Sequence, residues 1–274
     1  MMKTIKIKNT KLMNWIGLSF VCVLLFSCHS KESRHVFKAV PIENHSHSYS
    51  SPFYHITIEY PIEQWDYNDN LKRFVDEVVA FYKRDWSAGG MHYEDEMLNR
   101  EKYPDREYPK FELNIRFDKF SSSNLNSHSY LFYIYIYTGG ANGMTNLESF
   151  NFNDNGLIEQ SNFFTLNNKK EIQLTRLIAQ KAITMPDVFE KKYIWQGLGL
   201  NYLKPDGMTI DSTKFIRNHF HFKDNFKTFV IGDEGVHFYY DKYKISQGSS
   251  GTPSVLLEWK QLTPFVNKQF ISNN

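Results

Sequence analysis

Residues 111–118 read Phe-Glu-Leu-Asn-Ile-Arg-Phe-Asp. Phe111, Leu113, Ile115 and Phe117 fall on one side, and Glu112, Asn114, Arg116 and Asp118 on the other. A strict period of two describes a strand with one buried face and one wet face. Upstream, Leu71, Phe74, Val75, Val78, Val79 and Tyr82 keep the helical spacing. Lys72, Arg73, Asp76, Glu77, Lys83 and Arg84 fill the opposite side. That stripe predicts an amphipathic helix, with N-cap candidates at Asn68, Asp69 and Asn70. A strand with one apolar face and a helix with one apolar stripe bury each other, which predicts an α+β fold.

The neighbouring stretches fit this plan. Residues 53–60 alternate, with Tyr54, Ile56, Ile58 and Tyr60 on one side, and Pro61 ends the run. Residues 91–110 are charged and hold Pro104 and Pro109, so they read as a surface loop. Residues 130–138 are apolar on both faces and predict a central strand. Gly139-Gly140-Ala141-Asn142-Gly143 breaks it, and a strand at 147–152 with a turn at 153–156 follows. Asn168 with Glu171 reads as a capping box opening a helix to about residue 182. Residues 226–231 and 236–241 predict a hairpin, followed by a strand near 254–259 and a short helix near Leu262. Residues 185–221 are the least legible. The expected whole is a mostly antiparallel sheet with two main helices packed on it.

The N-terminus predicts an address. Residues 1–27 carry Lys3, Lys6, Lys8 and Lys11 and no acid, and Trp15 to Phe26 is an apolar run. A positive region followed by a short apolar run is the pattern of a secretory signal, and the run is short for a membrane span. Leu25-Phe26-Ser27-Cys28 looks like a bacterial lipobox, in which Cys28 is lipidated and becomes the new N-terminus. The competing reading is an ordinary signal, or a short anchor, with an incidental cysteine. The expected organisation is a lipoprotein signal at 1–27, a flexible tether at 28–51 and a domain at 52–270, with halves near 52–158 and 159–270. A lipid-anchored chain of the bacterial envelope follows. His29 stands where an inner-membrane retention signal would have Asp, which points to the outer membrane of a Gram-negative, Bacteroidetes-like cell.

Composition narrows the chemistry. The 274 residues carry 32 basic and 30 acidic side chains, for a formal charge of +2. Without the four leader lysines the balance is 28 against 30, too acidic for an electrostatic grip on nucleic acid. The two cysteines, Cys22 and Cys28, fall in the leader and at the lipobox, which leaves the domain without a thiol.

No motif names a reaction. Asn151-x-Asn153-x-Asn155-Gly156 copies a calcium-loop spacing but lacks its anionic ligands, so a hairpin turn is the better reading. His219-x-His221 has no third zinc ligand at a recognisable spacing, and His45-x-His47 falls in the expected tether. The run from Gly248 to Gly251 misses the nucleophile-elbow register. Glu94, Asp95 and Glu96 read as a solvated acidic cluster. No catalytic residue, metal or cofactor is assigned. The candidate binding residues are Tyr135, Tyr137, Gly139, Gly140 and Asn142. Tyr133, Tyr135 and Tyr137 share one face of a strand, and the glycine loop leaves the backbone open beside them; the competing reading is a tight turn beside a tyrosine row buried under a helix.

The run Tyr137 to Gly143, with Phe150-Asn151-Phe152 and Gly156, resembles the RsiV-like domain-of-unknown-function family. Phe229-Val230-Ile231, the run Val236 to Tyr240, Tyr243-Lys244-Ile245, Gly251 and Val255 extend the resemblance. It spans about residues 52–270. Family members often carry His where this chain has Asn142. The family includes extracytoplasmic domains of lysozyme-sensing anti-sigma factors and domains appended to some polysaccharide deacetylases. The resemblance implies an ectodomain that binds a ligand at the cell envelope, a cell-wall glycan such as peptidoglycan or an envelope or lysozyme-like protein, rather than a catalyst. The competing readings are a hydrolase acting on envelope polymers and a structural or assembly lipoprotein.

Overall fold

The computed structural model describes residues 44–62, 68–185, 190–215, 220–247 and 251–271. Every described residue belongs to one compact unit. Cys28, the leader, most of the expected tether, His219 and residues 248–250 lie outside the described residues.

Strands β1 (Asn44–Ser50) and β2 (Tyr54–Pro61) open the described chain. Helices α1 (Asn68–Asp85) and α2 (Met91–Lys102) follow, then strands β3 (Phe111–Ser122), β4 (Ser127–Tyr137), β5 (Met144–Asn153) and β6 (Gly156–Leu157). Next come helices α3 (Gln160–Phe163), α4 (Asn168–Ile183), α5 (Lys191–Gly197) and α6 (Ser212–Phe215). Strands β7 (Phe229–Ile231), β8 (Gly235–Tyr239) and β9 (Ser254–Glu258) precede helix α7 (Trp259–Leu262).

The fold is α+β and its pairing is mostly antiparallel. The first sheet runs β1 to β6 in chain order, and the β2–β3 pair within it is parallel. A parallel pair needs a crossover, and α1 and α2 provide it. The stripe of α1 packs as its spacing predicts. Leu71, Val75 and Val79 are buried with Ile56, Ile58, Leu113, Ile115 and Phe132, while Phe74 meets Phe132 and Phe150 edge to face or tilted.

The expected single sheet is in fact two. β7, β8 and β9 form a separate three-stranded sheet with its own core. One face of this sheet, Phe229, Ile231, Val236, Phe238, Val255 and Leu257, packs with Leu174, Ile178 and Ala182 of α4.

Four local expectations change. Residues 91–102, expected as loop, form α2, a helix that buries none of its residues and so shows no apolar stripe. It is held by polar ends: Glu94 accepts from the Gly89 N–H at 2.9 Å, His92 pairs with Asp85 at 2.6 Å, and Arg100 with Glu96 at 2.9 Å. Residues 44–50 of the expected tether form β1, an almost wholly exposed edge strand paired along its length with β2. The cap of α4 is Asn167, whose side chain accepts from Lys170 N at 3.0 Å, rather than Asn168. The last α-helix starts at Trp259, ahead of Leu262.

The two sheets meet edge to face. β7 has β8 on one side only, so Phe229 and Ile231 turn their other main-chain groups toward the first sheet. There the Ile231 N–H donates to Ser129 Oγ at 3.1 Å, and the Ser129 hydroxyl donates to Asn151 Oδ1 at 2.6 Å. Asn151 Nδ2 donates to the Phe229 carbonyl at 3.0 Å, and the Phe229 N–H to Ser149 Oγ at 2.9 Å. Ser129 and Asn151 are buried. A second tie lies at the hairpin tips. Asp233 accepts from Ser122 Oγ, from the N–H and hydroxyl of Ser123, and from the Asn124 N–H, at 2.7–3.2 Å.

Removing one partner from a buried polar relay leaves the others unsatisfied, at about 1–3 kcal/mol. Ser129→Ala and Asn151→Ala should each lower stability by that order in urea titrations. Because they share one relay, the double variant should lose clearly less than the sum of the singles. Full additivity would show that the two side chains do not act as a unit.

Candidate functional site

The first sheet has two unlike faces. One carries α1. On the other, the pairing aligns side chains in rows across the strands: Tyr137 beside Glu112 and Glu112 beside His55, then Tyr135 beside Asn114 and Asn114 beside Thr57. Arg116 stands beside Tyr133. β7 and its sheet dock on this second face at its Ser129 and Asn151 end. At the other end His55, Glu112, Asn114 and Arg116 are exposed, and Tyr135 and Tyr137 are half-buried. The three tyrosines therefore lie on the face opposite α1.

They are not equivalent. The Arg116 guanidinium sits over the Tyr133 ring, 4.3 Å from its centroid. Burial first, and then Asp118 and Tyr239 beside it, push the Tyr133 phenol well above its usual range. Burial and Asp118 push Tyr239 up to about 12. Tyr133 thus belongs to the junction between the sheets. Tyr135 and Tyr137 are the rings that face outward near the β4–β5 loop.

That loop, residues 138–143, is exposed up to Asn142, while Gly143 is buried. Gly139 alone of its three glycines takes a positive φ, 84°. A Cβ on Gly140 would meet nothing within 4 Å, but one on Gly143 would stand 2.3 Å from the Tyr135 ring. Gly143 is therefore the seat of Tyr135. The segment after β8 pins the same loop. Lys242 Nζ donates to the Gly143 carbonyl at 3.1 Å, and Asp241 accepts from the Leu147 N–H at 2.7 Å. Burial raises the Asp241 carboxyl above its ordinary value. Next to this clamp Tyr243 is 52% exposed with φ at 71°, a backbone region that costs a bulky L-residue about 1–2 kcal/mol.

The other sequence candidates separate. Asn151 is a buried structural side chain, and residues 153–156 make the expected turn with Gly156 at φ 104°. Glu94, Asp95 and Glu96 lie on α2 instead of a loop. His45 and His47 stack near Tyr60 on β1, on the side of the sheet that carries α1. Among the described residues no three His, Cys, Asp or Glu side chains gather where a metal ion could be held. His237, which the sequence reading passed over, is 5% exposed between Val230 and Leu256, and burial lowers its pKa to about 4. The polar row Glu112, Asn114 and Arg116 was visible as the wet half of the strand alternation. Its alignment with the tyrosines needed the register.

Residues 161–260 match the DUF3298 family model, described as a protein of unknown function. The matched stretch holds α4 and the three-stranded sheet, whereas the tyrosine face belongs to the preceding half of the chain. Two solved structures are similar in fold. One is a DUF3298 family member from Bacteroides fragilis, 15% identical with a TM-score of 0.53, over 84% of this chain and 95% of that one. The other is a DUF3298 family protein from Pseudomonas aeruginosa, 12% identical with a TM-score of 0.50, over 87% and 99%. No curated protein sequence matches the chain.

The two glycines give opposite expectations. Gly140→Ala should leave the melting temperature within about a degree, because a surface change into open space costs at most about 0.5 kcal/mol. Gly143→Ala should displace the Tyr135 ring and destabilise by about 1–3 kcal/mol, as other overpacking does. Thermal melts of the two variants check the seat of Tyr135, and equal melting temperatures would contradict it.

Proposed function

We propose that this chain is a lipid-anchored protein of the bacterial cell envelope whose domain binds a cell-wall glycan without catalysis. The observation that carries the reading is the open end of the first sheet's second face. It sets Tyr135 and Tyr137 beside Glu112 and Asn114, next to the exposed Gly139, Gly140 and Asn142. A sugar ring has an apolar C–H face and a rim of hydroxyls. A tyrosine ring offers flat apolar area for the first, and carboxylate and amide side chains bind the second.

The envelope part rests on the apolar run before Ser27-Cys28 and on the RsiV-like resemblance. That resemblance also makes a lysozyme-like protein the competing ligand. A hydrolase of envelope polymers, or an assembly lipoprotein docking on another envelope protein, are the further alternatives.

Two experiments test the reading. Cys28→Ser should abolish labelling by a fatty-acid probe and release the chain from membranes, whereas undiminished labelling would refute the anchor. The purified full chain should sediment with insoluble peptidoglycan. Tyr137→Ala and Asn142→Ala should weaken that capture about tenfold, about 1.4 kcal/mol, with melting temperatures nearly unchanged. Normal capture by both variants, or capture by immobilised lysozyme alone, would contradict the glycan reading.

A further inference from the structure

We infer that this site does not end at the tyrosines but crosses β3 and β2 to the edge strand β1, and that it takes a linear, uncharged glycan lying across the strands. The inference rests on the glycan reading above and deepens it. Tyr135 pairs with Asn114, Asn114 with Thr57, and Thr57 with Ser48, so one row of side chains crosses four strands. In the parallel row Glu59 stands beside Ser46. At the β1 end lies a cavity of about 330 Å³, lined by Ser46, Ser48, Thr57, Glu59 and Asn114 of this face and by the intervening His47, Ile58 and Ile115.

The chemistry along this path is of one kind. Hydroxyl, amide and carboxylate groups follow one another, and Glu59, Asn114, Ser46 and Ser48 are exposed. Glu112 and Asn114 are exposed, so their hydrogen-bonding capacity faces outward. Carboxylates accept two hydrogen bonds side by side, which suits neighbouring sugar hydroxyls. Glu59, Glu112 and Arg116 share this face with Lys110, which reaches Ser50 at 3.4 Å, and Lys242 at the Gly143 carbonyl, so charges of both signs alternate along it and no single-sign field favours a polyanion or a polycation over a neutral polymer. The strand spacing of about 4.8 Å is close to the length of one pyranose unit, so the path from β4 to β1, about 14 Å, spans roughly three to four sugars.

The probes are β-1,4-linked N-acetylglucosamine oligomers of two, four and six units, titrated calorimetrically into the full chain. Affinity should rise about tenfold from dimer to tetramer and then level off. The double variant Ser48→Ala, Glu59→Gln should lower tetramer affinity about fivefold to tenfold while leaving dimer affinity unchanged. Tyr137→Ala should weaken every oligomer. Equal affinities for dimer and tetramer overturn the extended site, as does a double variant that still binds the tetramer normally. Either result leaves the tyrosine site standing if Tyr137→Ala still weakens the dimer. Tighter binding of hyaluronate than of the neutral oligomers also overturns the inference. A folded chain that binds no oligomer overturns both this inference and the glycan reading.

Discussion

The outer edge of β7 has no strand beside it, and its main-chain groups end on side chains of the other sheet. Two N–H groups and one carbonyl find Ser149, Ser129 and Asn151, and the last two are joined to each other. A bare edge at this depth would leave unpaired polar groups or invite another strand. Here three small polar residues take the place of that strand. Because they sit at one end of the first sheet's second face, they fix where the second sheet stands. The two cores, one under α1 and one under α4, are thus held together through a polar joint.

The same placement leaves the other end of that face uncovered. Arg116, Tyr133, Asp118 and Tyr239 close the junction where the sheets part. Beyond it the face carries Tyr135, Tyr137 and the polar rows running toward β1. The segment after β8 reaches back to this end, with Asp241 on the β5 edge and Lys242 on the Gly143 carbonyl. Tyr243 keeps its strained backbone and its exposed ring next to that clamp.

Much of this was legible in the sequence where one physical pattern acts alone. The alternation at residues 111–118 and the stripe of α1 follow from a single buried face, and both appear as read. The structure departs from the reading where stability comes from pairing rather than pattern. β1 buries almost nothing and is held by main-chain bonds to β2, so its serines and histidines look like tether. α2 buries no residue and leaves no stripe. The joint is the hardest case. Asn151 and Ser129 carry no local signal, and Asn151 even fits a calcium-loop spacing, because its role depends on a strand about 80 residues away. For the candidate site, the tyrosine row and the glycine loop were visible. The occupation of Tyr133 and the continuation through Asn114 and Thr57 depend on register, which no single strand encodes.

The central claim is that the joint positions the second sheet so that the tyrosine face stays open as a ligand surface. Hydroxyl-radical footprinting of the full chain, with and without soluble peptidoglycan fragments, tests it most directly. The account predicts that Tyr135 and Tyr137 become protected, while Tyr103, Met91 and Leu98 around α2 keep their reactivity. Protection around α2 with an unchanged tyrosine face would contradict it.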